Sequence, residues 1–214
     1  MNDDRPEPII DVLLADDEHL IRTAMAALVN LERDLQVSAE AGSGAELLAL
    51  WQRRVNQGLP PAVAVIDLQM PGLDGIETAA QLLALTPGAG TMIVTIHGRP
   101  GYLKRALSIG VRGFLPKTAP AATLAQVIRT VHAGGRYVDP ELAAEAISVG
   151  DSPLTPREAD VLEFAADGAS IEHISRRAHL TPGTTRNYLS SAAAKLGVAN
   201  RYEATLRARE RGWI

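Results

Sequence analysis

Residues 62–75 read AVAVIDLQMPGLDG: an unbroken apolar run, an acid at Asp67, a Pro-Gly turn, and a second acid at Asp74. An apolar run of this length with no polar alternation describes a strand buried on both faces, as in a parallel sheet covered by helices. Pro71-Gly72 then breaks the chain. Asp74, followed three residues later by Glu77, matches the capping box that opens a helix. The stretch therefore spells strand, acidic turn, helix.

The same pattern recurs on both sides of it. Further strand-like runs fall at Ile9–Ala15, Leu35–Ala41, Thr91–Thr95 and Gly113–Pro116, and Ser43 with Glu46 marks another helix start. Alternating strands and helices imply a parallel sheet with helices on both faces. Five strands predict a flavodoxin-like, doubly wound α/β domain over residues 9–133, preceded by a polar, Pro-containing tail at 1–8 that is expected to be disordered. Residues 134–152 read as a linker: an extended piece at Arg136–Val138, a short helix opened by Asp139-Pro140 and running to Ser148, then a break at Gly150-Asp151-Ser152-Pro153. From 153 to 214 four helices follow in quick succession. Their starts are marked by Thr155-Pro156-Arg157-Glu158, Ser170, Thr181-Pro182, and Asn200 with Glu203, with Gly168 and Gly197 as stops. This second domain is all-α with a helix-turn-helix.

Composition narrows the function. The chain has 214 residues, which suits one large or two ordinary domains. It lacks any apolar run long enough to span a bilayer and any basic-then-apolar start, so neither a membrane segment nor a signal peptide is expected. With no cysteine, disulfides, thiol catalysis and cysteine-ligated zinc are excluded, and a cytoplasmic location is consistent. His19, His132, His173 and His179 show no metal-ligand spacing. The net charge of −4 is unevenly placed: residues 1–150 hold 12 Lys/Arg against 17 Asp/Glu, and residues 151–214 hold 9 against 8. Any affinity for DNA must come from a local patch in the near-neutral second half, and dimerisation is the expected way to strengthen it.

Four separated fragments converge on one chemistry. Asp16 and Asp17 follow the first strand, Asp67 the third, Thr95 the fourth and Lys117 the fifth. Open α/β sheets bind ligands at those carboxyl ends. A carboxylate can attack a phosphoryl group, but both are negative, so cations are required. Asp16, Asp17 and Asp67 offer the oxygen ligands that Mg²⁺ prefers, Lys117 adds a compact positive charge, and the Thr95 hydroxyl can follow a phosphoryl oxygen. Taken singly, these are a pair of caps, a turn acid, a surface lysine and a strand threonine. Their joint placement carries the reading.

LLADDEH (13–19), VIDLQMPGLDG (65–75), IVT (93–95) and GFLPK (113–117) resemble the receiver domain of bacterial two-component response regulators. The resemblance implies that Asp67 is the phospho-acceptor, served by a sensor histidine kinase. It also implies that Asp16, Asp17, Asp67 and the Gln69 backbone carbonyl hold Mg²⁺. By the same likeness Thr95 and Lys117 sense the phosphoryl group and Phe114 is the aromatic switch. Gln69 and His97 border the site at positions where the lifetime of the acyl phosphate is commonly tuned.

LTPREADVLEFAADG (154–168) and LTPGTTRNYLSSAAAKLG (180–197) resemble the LuxR-type helix-turn-helix of the NarL/FixJ subfamily. The third helix of this domain, from Pro182 to Lys195, would enter the major groove. Arg186, Asn187 and Ser190 share one face of it and are the candidates for base or backbone contacts. Lys195, Arg176, Arg177 and the Thr184 and Thr185 hydroxyls are the candidates for phosphate contacts. Ile171 and His173 depart from the family pattern, which usually has a polar residue and a capping glutamate there. Arg99-Pro100-Gly101-Tyr102 and the ending Glu210-Arg211-Gly212-Trp213 suggest the DesR-like branch, partnered by membrane-embedded kinases.

The expectation is a DNA-binding transcriptional regulator, not an enzyme, with no direct membrane contact, that forms a homodimer on double-stranded promoter DNA when phosphorylated. Two other readings remain open. The receiver could serve as a phosphorylation-independent dimerisation module, and Asp67 could be a turnover nucleophile. Dehalogenase-type enzymes of that second kind need another acid two residues on, where this chain has Gln69.

Overall fold

The computed structural model describes residues 9–59, 62–96, 98–148, 152–166, 168–211 and 213–214. The tail at 1–8, His97 and the Gly150-Asp151 break lie outside them. Chain contacts divide the protein into two units: one runs to Gly98 and resumes over Arg105–Asp139, and the other holds Arg99–Lys104 with Pro140–Ile214. Among the described residues no helix is long and apolar enough to cross a membrane.

From residue 10 to residue 138 the chain alternates strands and helices: β1 (Ile10–Ala15), α1 (His19–Val29), β2 (Leu35–Ala41), α2 (Gly44–Asn56), β3 (Val63–Asp67), α3 (Gly75–Leu85), β4 (Gly90–Thr95), α4 (Pro100–Ser108), β5 (Gly113–Pro116), α5 (Ala121–His132) and β6 (Tyr137–Val138); all but the first half of α4 belongs to the first unit. The sheet order is β2-β1-β3-β4-β5-β6, and every pair is parallel. The expectation of five strands is corrected to six. Tyr137 and Val138 lie in the span read as linker, and they extend the sheet by pairing with Gly113 and Phe114.

The apolar runs behave as their lack of alternation demands. All residues of β3 and β4 are buried. Because side chains alternate along a strand, Val12, Leu14, Val65, Met92, Val94 and Leu115 meet Val29 of α1 and Val127, Ile128 and Val131 of α5 on one face. Leu13, Ile66, Ile93 and Phe114 point to the other, where α2 and α3 bury Leu47, Trp51, Ile76 and Leu82. The Asp74–Glu77 capping box forms in full. Ser43 also caps its helix, but Glu46 reaches past it to the Gly42 amide at 2.7 Å.

The second unit carries α6 (Pro140–Ser148), α7 (Pro156–Phe164), α8 (Ile171–Arg177), α9 (Pro182–Lys195) and α10 (Arg201–Glu210). Val161, Leu162, Ile174, Leu189, Ala192, Leu196 and Ala204 form the centre of its core. Thr155 and Glu158 make a complete capping box. Ser170 caps α8 by accepting from the His173 amide, so the missing glutamate costs only the reciprocal half of that cap. The turn between α8 and α9 is closed by His179 at φ 53°, a left-handed conformation that histidine tolerates better than most residues with a side chain.

Candidate phosphoryl-acceptor site and nucleic-acid interface

The carboxyl ends of β1, β3, β4 and β5 bring Asp16, Asp17, Asp67, Thr95 and Lys117 to one edge of the sheet. Adjacent registers set their order: Asp67 pairs with Val94, and Thr95 with Pro116. The Lys117 amide donates to the Thr95 carbonyl at 2.8 Å, which extends the β4–β5 ladder one step into the site. Gly75 lets α3 begin hard against Asp67. A Cβ there would lie 2.2 Å from the Asp67 carbonyl oxygen, so no other residue fits without moving the helix.

Asp16 and Asp67 are buried, at 0% and 4% exposure. The Lys117 ammonium sits between them, 2.7 Å from Asp16 Oδ2 and 3.1 Å from Asp67 Oδ1. Burial pushes the Asp67 carboxyl up to about 7, and Asp16 and Asp17 add to the rise while Lys117 opposes it. Burial acts on Lys117 in the opposite sense, but the attraction of Asp67 and Asp16 outweighs it and holds the ammonium above its ordinary value. One lysine thus fails to neutralise three carboxylates held in a low-dielectric corner.

Oxygen atoms of Asp16, Asp17 and Asp67 all lie within 4.8 Å of one another. Three hard oxygen donors around a deficit of positive charge fit a small divalent cation such as Mg²⁺. Gln69 follows β3 and is half-buried beside this edge. Thr95 and Phe114 are buried in β4 and β5, where a movement of either must repack its neighbours.

In the second unit α9 presents Arg186, Asn187 and Ser190 to solvent, and Leu189, Ala192 and Ala193 point into the core. Arg176 is exposed at the end of α8. Arg177 is exposed too, with its guanidinium stacked over Phe164 at 4.4 Å from the ring centre. Thr184 shares its hydroxyl with Thr181 at 2.9 Å.

One expected phosphate contact does not survive. Thr185 is completely buried, its hydroxyl held by the Thr181 carbonyl at 3.0 Å and the Ser175 hydroxyl at 2.9 Å. It joins α9 to α8 from inside and has no path to a phosphate. Lys195 is exposed but engaged: its ammonium lies 2.7 Å from Glu158 Oε2. Glu158 also accepts from Ser191 at 2.6 Å and from the Thr155 amide at 2.7 Å. Burial alone would raise the Glu158 carboxyl, but Lys195, Ser191 and Thr155 together hold it below the ordinary range. Sequence reasoning gave Glu158 only a capping role, and nothing local announces its second partner, which stands on another helix.

Residues 12–129 match the response regulator receiver domain family, and residues 152–208 match the family described as bacterial regulatory proteins, luxR family. The transcriptional regulatory protein DesR of Bacillus subtilis is 38% identical over 206 residues, covering 96% of this chain and all of DesR. The transcriptional regulatory protein UhpA of Escherichia coli is 36% identical over 208 residues, covering 96% of this chain and all of UhpA. Among solved structures, the response regulator ChrA of a heme-sensing two-component system is 29% identical. It superposes with a TM-score of 0.54 over 96% of this chain and 99% of ChrA.

Proposed function

The chain belongs to the bacterial response regulators that join a receiver domain to a LuxR-type DNA-binding domain, and on that premise we propose that phosphorylation of Asp67 by a sensor histidine kinase controls its binding to promoter DNA. It is a DNA-binding transcriptional regulator, in a family that is not one of enzymes.

The observation that carries the proposal is the pocket itself: Asp67 ends β3 with Lys117 at 3.1 Å and two further carboxylates within reach of a shared cation. Asp67 supplies the attacking oxygen. As its bond to phosphorus forms, the bond from phosphorus to the kinase histidine nitrogen breaks, and the electron pair leaves with the imidazole. Mg²⁺ held by Asp16, Asp17, Asp67 and the Gln69 carbonyl would offset negative charge on the transferring group. Lys117 is placed to exchange an Asp67 oxygen for a phosphoryl oxygen. Thr95 would then turn toward that oxygen, and Phe114 would repack in the space it leaves. The shifted receiver surface dimerises and brings two α9 helices to neighbouring half-sites. Arg186, Asn187 and Ser190 face the groove, and Arg176, Arg177, Thr184 and Lys195 face the phosphates.

Light-scattering mass in Mg²⁺, with and without beryllium fluoride as an acyl-phosphate mimic, tests this. The expected result is a dimer that appears only with the mimic and is absent in Asp67→Ala. An unchanged mass, together with unchanged DNA affinity, would refute the proposal.

A further inference from the structure

Arg22 of α1 stands outside every role described above, yet its guanidinium reaches into the acidic loop. Its Nη1 donates to the Asp16 backbone carbonyl at 2.6 Å, and its Nε lies 3.5 Å from Glu40 Oε2 on β2. The side chain is 15% exposed, so this charge is spent largely inside the protein.

The acceptor matters more than the distance. The Asp16 carbonyl belongs to the peptide unit that joins Asp16 to Asp17, and that unit is planar. Holding its oxygen therefore fixes the plane from which the Asp17 side chain departs. Other anchors of the loop act on Asp16 and on Glu18, whose carbonyl accepts from the Arg22 amide at 2.9 Å. The Asp16 amide donates to the Ala41 carbonyl at 3.1 Å, and its carboxylate accepts from the Glu18 amide at 2.9 Å and pairs with Lys117. The bond from the Glu18 amide closes an Asx turn that limits the Asp16–Asp17 peptide from one side. A charge-assisted bond from a guanidinium, itself tethered to Glu40, grips the oxygen of that peptide directly.

We infer that Arg22 is a positioning residue for the metal pocket: it locks the Asp16–Asp17 peptide so that the Asp17 carboxylate stays within reach of Asp16 and Asp67. The inference rests on the proposal that these acids hold Mg²⁺. Outer groups that orient metal ligands typically change affinity by about 10- to 100-fold when removed. Arg22 is also a nearby positive charge, and by charge alone its loss would tighten cation binding. The two effects have opposite signs, so the experiment discriminates between them.

Mg²⁺ binding to the full chain is measured by calorimetry for wild type, Arg22→Gln, Arg22→Lys and Asp17→Asn, with urea unfolding in EDTA as a separate measure of stability. Arg22→Gln is expected to bind Mg²⁺ roughly tenfold more weakly. Arg22→Lys, which keeps the charge but cannot span both the carbonyl and Glu40, should fall between it and wild type. Unchanged or tighter Mg²⁺ binding by Arg22→Gln, whatever its stability, overturns the inference. If that variant does not fold, Glu40→Gln, which loosens the tether alone, is expected to weaken binding about threefold, and unchanged binding there overturns it. Wild type that binds no Mg²⁺ would instead sink the pocket reading, and this inference with it.

Discussion

Lys117 Nζ lies 3.1 Å from Asp67 Oδ1, yet Asp67 holds its proton far more tightly than an ordinary carboxyl group. A cation at that distance normally has the reverse effect. Here burial comes first and the neighbouring acids add to it, so the metal-free pocket is short of positive charge.

The imbalance has a sign that a pH series can read. Asp67 titrates at about 7 in the folded protein, against an ordinary value of 3.8. Between those values the folded chain binds the proton better than the unfolded chain, so unfolding releases it and stability falls as pH rises. Stability contributed by this group is complete below the lower value and lost above the upper one. Urea unfolding in EDTA should therefore show Asp67→Asn to be more stable than wild type by ~2–4 kcal/mol at pH 8, with the difference closing toward pH 4.

Lys117→Met removes the cation that opposes this rise. The Asp67 carboxyl should then titrate higher still, by about one unit or more. Carbon-13 NMR of the labelled aspartates without Mg²⁺ follows it directly, and a downward or absent shift would mean that the lysine is not Asp67's counter-ion.

Mg²⁺ should act as a folding ligand. At a hundredfold excess over its dissociation constant it is expected to stabilise wild type by about 2.7 kcal/mol. Asp17→Asn should lose most of that gain without losing stability in EDTA. Thermal melts with and without the ion check both statements.

In the helical unit, Lys195→Met leaves Glu158 buried with a hydroxyl and an amide but no cation. It should cost about 1–2 kcal/mol at pH 7. Glu158 is held below the ordinary carboxylate range in the native protein, so its contribution is present above that range and lost as pH falls through its folded value. Without Lys195 the loss should begin at higher pH. Urea midpoints from pH 7 to pH 3 measure it.

Arg186 and Thr185 are chain neighbours with opposite expectations. Arg186→Ala should weaken DNA binding and relax its sequence preference while leaving the unfolding midpoint unchanged. Thr185→Val should lower stability by about 1 kcal/mol or more, because Ser175 loses its buried partner. It should leave the salt slope of DNA binding intact. Fluorescence anisotropy on promoter and scrambled DNA across a salt series, paired with urea melts, separates the two.

These contrasts show where the sequence was legible. The span Leu35–Ala41 and the helix Pro182–Lys195 were readable to the residue, because apolar patterning and caps are local signals. The convergence of Asp16, Asp17, Asp67 and Lys117 was readable because strand ends in a parallel sheet bring distant residues together by rule. Thr185 was misread because helical spacing tells which residues share a face, while burial depends on α8, which only the fold brings near. Glu158 to Lys195 and Arg22 to Asp16 join elements whose meeting no short motif records. The extended piece at Arg136–Val138 reads as linker rather than as a sixth strand, because two residues carry no periodicity that would place them in the sheet.

The order β2-β1-β3-β4-β5-β6 also has a consequence in time. Each parallel pairing must wait for a helical crossover to close, and such non-local contacts make parallel sheets slow to fold. The acids of β1 and β3 meet when those strands pair, but Lys117 arrives only with β5, further along the chain. A refolding intermediate with β1 and β3 joined would hold its carboxylates together with no ammonium between them. Refolding of the sheet is therefore expected to quicken in salt or Mg²⁺, while the helical unit, built from near neighbours in sequence, folds at a rate indifferent to Mg²⁺.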